Sequence, residues 1–305
     1  MHPIYRGAVS DNTERTPALQ AGRDAATVEW TDADAMPIVR VPRESDDKYR
    51  RGVLGVRTGS NMYPGAAVLG VDAAARTGVG MIRYLGPDVP TGLVLQRRPE
   101  VVTAPGRVQA WLLGSGMDAE KRSDAETSLL RSALGDGVPC VIDAGALDLV
   151  PEAGADTIIT PHAGELASLW ARVGVTIDRS SISDDPVHWA IATAQRFGVT
   201  VLLKGARTII AGPSAETISV TASSSWAATA GSGDVLGGIL GALLATNATF
   251  VADEATGILS QVAATAAYLH QAAAARASGG GPITALDIAD SLGPTIADLL
   301  SRNAH

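Results

Sequence analysis

The sequence predicts an α/β fold, with a mostly parallel central sheet flanked by helices on both faces. Three observations carry that prediction. Short apolar runs alternate along the chain with segments of helical period. Glycine is frequent, at 33 residues, while aromatics make up 4%, which suits helices lying close against a sheet. The 305 residues, 46% hydrophobic, suffice for one large or two small domains with a full core and no staples.

Taken in order, residues 1–30 are polar and weakly periodic and read as an N-terminal arm, with the folded domain spanning 31–305. VLGV at Val53–Val56 reads as a strand and GAAVLGVDAAART as a helix of small residues. MIRYL, WLLG and CVIDA are further strands, with a helix around Glu120–Leu134 between the last two. TIIT at Thr157–Thr160 leads into the helix ELASLWARV. TVLLKG, TIIAG and TISVT look like three successive strands, and the turn-like PSAE between the last two suggests an antiparallel element near one edge. Three long helices close the chain, from Asp234, from Asp253 and from Ala285. In open sheets of this kind ligands bind beyond the carboxyl ends of the strands.

The formal net charge of −8 argues against nonspecific binding to nucleic acid or to anionic membranes. A positive field for an anionic substrate must therefore be local. The lysines are Lys48, Lys121 and Lys204, so one inside a motif merits attention. The single cysteine, Cys140, lies in an apolar run and reads as a buried structural thiol, consistent with a reducing compartment. No signal-type apolar segment and no span of ~20 apolar residues is seen, so the expected location is the cytoplasm, with no membrane partner.

The run TAGSGDVLGGILGALL raises the main functional question. Its Gly231, Gly233 and Gly237 approach a dinucleotide fingerprint, but such a fingerprint follows a strand early in a βαβ unit, and the preceding TASSSWAATA is small and polar. The other reading is a helix N-terminus whose free amides, from Ala230, Gly231, Ser232 and Gly233, form an anion hole beside a carboxylate, Asp234. Ser232 is the expected N-cap, and the helix dipole should keep Asp234 ionised at neutral pH. A plain capped helix is the bland alternative. Gly237, Gly238 and Gly241 lie inside the apolar stripe and are expected to let a neighbouring backbone approach closely, Gly237 and Gly241 in helix packing. LLKGARTII puts Lys204 straight after a strand, followed by Gly205, as an ammonium on a phosphate requires, or simply as a solvated strand end. ITPHAGELASLW places His162 and Glu165 over one strand end. Glu165 suits a Mg²⁺-bound water or a helix cap. Gly59 and Gly65 could admit a sugar or a ring, GSG at Gly114–Gly116 can approach a diphosphate, and Asp143 ends another strand.

In order and spacing, TGSNMYPGAAVL, LLGSGMD, VIDAGAL, TPHAGELASL, LLKGARTII and AATAGSGDVLGGILGALL resemble the ADP/ATP-dependent NAD(P)H-hydrate dehydratases of the ribokinase-like superfamily. The resemblance covers about Lys48 to Ala245. It departs at Ala230, where the family run is GGTGD-like, at Thr58-Gly59-Ser60 in place of GGS, and at GSGMD in place of a longer GPGLG-like turn. The resemblance implies a ribokinase-like three-layer fold and a metabolite-repair reaction. ADP or ATP, with Mg²⁺, would phosphorylate the C6 hydroxyl of hydrated NADH or NADPH (the 6S epimer), and loss of phosphate would regenerate NAD(P)H. It implies Asp234 as the catalytic base, and a nucleotide segment of Lys204, Gly205, Ala206, Arg207 and Thr208 with Gly233. It implies substrate contacts at Ala66, Gly116, His162 and Asp234, and Glu165 toward the metal, directly or through water. A homo-oligomer, with a tetramer as one form, is the implied assembly, and the arm is too short for the epimerase half of the fused family members. The alternatives are a ribokinase-like kinase for a vitamin-precursor alcohol and a nucleotide-binding protein without turnover.

Overall fold

A computed structural model describes residues 26–214, 216–252 and 257–302. Nine strands among the described residues form one sheet: β1 (Val28–Glu29), β2 (Val53–Arg57), β3 (Met81–Tyr84), β4 (Ala110–Leu113), β5 (Cys140–Ile142), β6 (Thr157–Ile159), β7 (Thr200–Leu203), β8 (Arg207–Ala211) and β9 (Ile218–Thr221). Their order is β1-β9-β8-β7-β6-β5-β4-β2-β3. Only β8 runs against its neighbours, β7 and β9, which is the antiparallel element the TIIAG/TISVT pair implies. The helices are α1 (Asp32–Ala35), α2 (Pro64–Thr77), α3 (Asp88–Arg97), α4 (Asp124–Leu134), α5 (Ala163–Arg172), α6 (Arg179–Asp184), α7 (Pro186–Phe197), α8 (Ser232–Thr246), α9 (Ala248–Ala252), α10 (Ile258–Ser278) and α11 (Ala285–Ser301).

Alternation along the strands sorts the core into two layers. Leu54, Val56, Leu112, Val141, Ile158 and Leu202 join one cluster with α2, α8, α10 and α11. Val53, Trp111, Leu113, Ile142, Ile159, Val201 and Leu203 join the other, with α4 to α7. Both faces of the sheet are thus buried, which is why its strands read as unbroken apolar runs. Cys140 is buried in β5, as expected of a structural thiol.

Several sequence expectations are refined. The helix expected from Asp253 is described from Ile258 onward; Asp253 itself lies outside the described residues. Helix α7, which the sequence reading did not mark, is capped by Asp185, whose side chain accepts from the His188 N–H at 3.2 Å. Residues 1–25 of the arm lie outside the described residues. Its described end is knit into the fold: Val28 and Glu29 pair with Ile218 and Ser219, and the Trp30 indole donates to Thr265 at 3.2 Å.

The close approach expected of the α8 glycines falls to Gly238, while Gly237 and Gly241 do not serve the helix packing expected of them. A Cβ on Gly238 would stand 2.1 Å from the Gly70 carbonyl oxygen, so Gly238 is the residue that lets α8 lie against α2. A Cβ on Gly237 or Gly241 would instead face the sheet, 3.4 Å from Leu112 Cδ1 and 3.1 Å from Leu54 Cδ1 respectively. The close approach of α8 to α2 and to the sheet fixes where its N-terminus ends up, over the carboxyl ends of the parallel strands.

Candidate active site

Four neighbouring parallel strands deliver polar side chains to one place. β4 ends in Gly114-Ser115-Gly116, β5 in Asp143, β6 in Thr160-Pro161-His162 and β7 in Lys204. Asp143, only 3% exposed, is the hub. It accepts from Ser115 Oγ at 2.9 Å, Thr160 Oγ1 at 2.7 Å and Lys204 Nζ at 3.1 Å. A buried carboxylate with three donors is well satisfied. The residue after it, Ala144, has φ 45°, the one non-glycine positive φ among the described residues. That costs about 1 kcal/mol, and it turns the chain sharply away from the strand end.

Lys204 also lies 3.5 Å from Glu165 Oε2. Burial disfavours its ammonium, but Asp143 and Glu165 outweigh that and hold its pKa above the ordinary value. Glu165 is the N3 residue of α5, in a reciprocal capping box with His162. The Glu165 N–H donates to His162 Nδ1 at 3.0 Å, and the His162 N–H donates to Glu165 Oε2 at 2.8 Å. The capping reading of this H-x-x-E therefore holds, and it leaves Oε1 with only His162 Nε2 nearby, at 3.6 Å.

The N-terminus of α8 faces this cluster. A Cβ on Gly233 would sit 3.7 Å from Lys204 Nζ. The N-cap is Gly231, at φ 86°, and not Ser232 as the sequence suggested. A left-handed cap excludes serine, and a Cβ there would also meet Leu69 at 2.5 Å. Ser232 is the first helical residue. Its N–H is taken by the Thr229 carbonyl at 3.2 Å, and its hydroxyl is 3.0 Å from His270 Nε2. Among the described residues, the N–H groups of Ala230, Gly231 and Gly233 find no protein acceptor, so three of the four expected amides are open. Ala230 is exposed and does not adopt a positive φ, so nothing at this position demands glycine.

Asp234 follows on the side of α8 toward α2; its carbonyl oxygen lies 3.4 Å from where a Cβ on Gly70 would be. The expectation of an ordinary ionised carboxylate fails here. Burial and the charge of Asp143 push its pKa up to about 7, against the pull of Lys204. Desolvation outweighs the helix dipole at this depth.

A cavity of about 670 Å³ opens on one side of the α8 N-terminus. His162, Lys204, Gly205, Ala206, Thr208, Ser232 and Gly233 line it, together with Ser224, Ser225, His270 and Gln271, which sequence reasoning did not single out. The TASSSW run and α10 carried no motif to mark them. Ala66 and Gly116 lie elsewhere, toward the start of α2, where a Cβ on Gly116 would meet the Ala66 Cβ at 2.3 Å. His162, expected with that pair, borders both the large cavity and a smaller one beside Glu165. The Arg207 side chain points away, bonding Ser219 Oγ at 2.8 Å and Thr27 at the β1 edge of the sheet.

The model of the NAD(P)H-hydrate dehydratase family matches residues 54–291. The chain is 43% identical over 238 residues to the bifunctional NAD(P)H-hydrate repair enzyme Nnr of Mycobacterium tuberculosis, covering 74% of this chain and 47% of that protein. It thus spans about half the length of the Nnr relatives it matches. It is 31% identical over 255 residues to the ADP-dependent (S)-NAD(P)H-hydrate dehydratase of Neisseria meningitidis, covering 78% of this chain and 81% of that one. The fold is shared with the ADP/ATP-dependent NAD(P)H-hydrate dehydratase of Bacillus subtilis, co-crystallised with ATP/Mg²⁺, at a TM-score of 0.74 and 20% identity over 90% of this chain and 99% of that one. It is shared more distantly with a hydroxyethylthiazole kinase from Pyrococcus horikoshii, at a TM-score of 0.53, 15% identity, and 86% and 92% coverage. The matched span runs from β2 into α11 and contains every strand end and helix terminus of the site, and the chain belongs to the NAD(P)H-hydrate dehydratase family.

Proposed function

We propose that the chain is an ADP- or ATP-dependent dehydratase that restores NADH or NADPH from the 6S hydrate. The observation that carries this reading is the open α8 N-terminus, flanked by Lys204 on one side and Asp234 on the other. A phosphoryl group held by the Ala230, Gly231 and Gly233 amides and by Lys204 is stabilised by groups already oriented for it. Asp234, with a pKa near 7, suits a base that takes the proton of the C6 hydroxyl as its oxygen attacks the phosphorus. The nucleotide leaves one phosphoryl group shorter. The ring nitrogen lone pair then expels phosphate from C6, and loss of a ring proton restores the dihydronicotinamide.

The large cavity, with Lys204, Gly205, Ala206 and Thr208 on its wall, is the proposed nucleotide site. Ala66, Gly116, His162 and Asp234 are proposed for the hydrate. Arg207 contributes backbone only, since its side chain is engaged at the sheet edge. The cluster holds one ammonium among three carboxylates, Asp143, Glu165 and Asp234, so a further cation favours an anionic nucleotide. The open Oε1 of Glu165 fits Mg²⁺, which uses few carboxylates and keeps its waters. Among the described residues no group of three or more His, Cys, Asp or Glu forms an all-protein metal cage. When bound, Mg²⁺ would screen the phosphate charges from these carboxylates. We place the reaction in the cytoplasm; among the described residues no helix is long and apolar enough to cross a membrane. A homo-oligomer, with a tetramer as one form, is the proposed assembly.

The test is direct. Purified protein given the hydrate should regenerate NADH absorbance and release orthophosphate only when ADP or ATP and Mg²⁺ are supplied. A stable phosphorylated alcohol from a vitamin precursor, with no NADH, would instead favour the kinase reading. Nucleotide binding with neither product would favour a binding protein.

A further inference from the structure

His270, in α10, is buried yet reaches the wall of the large cavity, and the catalytic scheme above does not use it. Its Nε2 lies 3.0 Å from the Ser232 carbonyl oxygen and 3.0 Å from Ser232 Oγ. A carbonyl oxygen only accepts, so Nε2 carries the hydrogen. Nδ1 is then the acceptor, and the Gln271 amide nitrogen stands 3.4 Å from it, in the donor position. Burial pushes the His270 pKa down to about 4, so the ring stays neutral and keeps one donor and one acceptor nitrogen at neutral pH.

This ordering decides what the Ser232 hydroxyl can do. A protonated Nε2 cannot accept, so the Ser232 hydroxyl cannot direct its hydrogen at His270; Oγ at most shares the Nε2–H with the Ser232 carbonyl, and its own hydrogen is left to point elsewhere. Ser232 itself lines the cavity, next to Gly233. Resting on the nucleotide reading of that cavity, we infer that His270 is a positioning residue that turns the Ser232 hydroxyl into a hydrogen-bond donor to the bound phosphate. The Ser232 amide is already taken by Thr229, so the hydroxyl replaces it in the ring of donors around the anion. The Ser232 carbonyl fixes the tautomer that makes this possible, and the Gln271 amide nitrogen, 3.4 Å from Nδ1, fits it.

The experiment is a double-mutant cycle read by calorimetric binding of ADP and ATP to the full chain, with melting temperature followed in parallel. Ser232→Ala should weaken binding about tenfold, as loss of one hydrogen bond to a charged group does. His270→Met, which keeps volume and removes the donor, should cost a similar factor, and the double variant should be no worse than either alone. His270→Gln, whose amide nitrogen can occupy the Nε2 position, should restore most of the affinity. Multiplicative losses in the double variant, or unchanged binding in a folded His270→Met protein, would overturn the inference. If His270→Met lowers stability, the Gln variant decides: an affinity no better than that of Met at equal melting temperature also overturns it. Wild-type protein that binds neither nucleotide overturns both the inference and the proposed function. Failure to restore NADH from the hydrate, with the binding cycle intact, sinks only the function.

Discussion

At residue 234 a carboxylate stands on a helix N-terminus, where the dipole alone would keep it ionised far below neutral pH. Burial and Asp143 reverse that and raise it to about 7. Two outcomes follow. Activity should fall on the acid side of an apparent pKa near 7, and Asp234→Asn should lose about 10²–10⁴ of kcat while nucleotide binding stays near wild type. Full activity in that variant would rule out Asp234 as the base. The second outcome concerns stability. The folded-state pKa lies above the unfolded value of 3.8, so folding favours the protonated form, and stability drops as pH rises from about 4 to 7. Asp234→Asn removes that loss. Its melting temperature should exceed wild type most above pH 7, by an amount equivalent to about 4 kcal/mol at 1.36 kcal/mol per unit. Ala230 gives a contrasting prediction. It is exposed and without positive φ, so Ala230→Gly should change ADP affinity less than about twofold. A large gain would show that the alanine constricts the anion hole.

Among the elements, α8 carries the most constraint, because its glycines seat it against α2 and the sheet at once. A methyl on Gly238 would overlap the Gly70 carbonyl, backbone against backbone, with no flexible side chain to give way. Gly238→Ala should therefore destabilise by about 2–3 kcal/mol, seen as a drop of several degrees in melting temperature, and should weaken nucleotide binding by shifting the α8 N-terminus. The same change at Gly65, where the space around the Cβ position is open, should be nearly silent. These glycines were visible in the sequence as an interrupted apolar stripe, but not which faced helix and which faced sheet. A helical wheel gives angular spacing, whereas the partner at each angle depends on how α2 and the strands converge.

For the whole molecule, the described end of the N-terminal stretch behaves as part of the sheet. Val28–Glu29 extends the β9 edge, Arg207 ties Ser219 and Thr27 together there, and Trp30 reaches α10. Deleting residues 1–30 should lower stability by about 1–3 kcal/mol while leaving the hydrate reaction intact once the protein is folded, measured by denaturant unfolding beside the NADH assay. A two-residue strand is too short to show period-two alternation, which is why these residues read as a polar arm.

The sequence alone determined the alternating α/β architecture and the reversed strand near one edge. It also marked Lys204, Glu165, Asp234 and the glycine-rich helix start as candidates. Those features are written in local periodicity, in turn residues and in ordered motifs, so a linear reading reaches them. The tertiary structure alone decided that Asp143 gathers Ser115, Thr160 and Lys204, that Ser232 answers to His270, and that the Arg207 side chain leaves the site. It also decided the burial and the neighbouring Asp143 charge that raise the Asp234 pKa. Each of these depends on which distant residues are brought within a few ångströms and on how much water is excluded around them, and neither quantity is encoded in the spacing of residues along the chain.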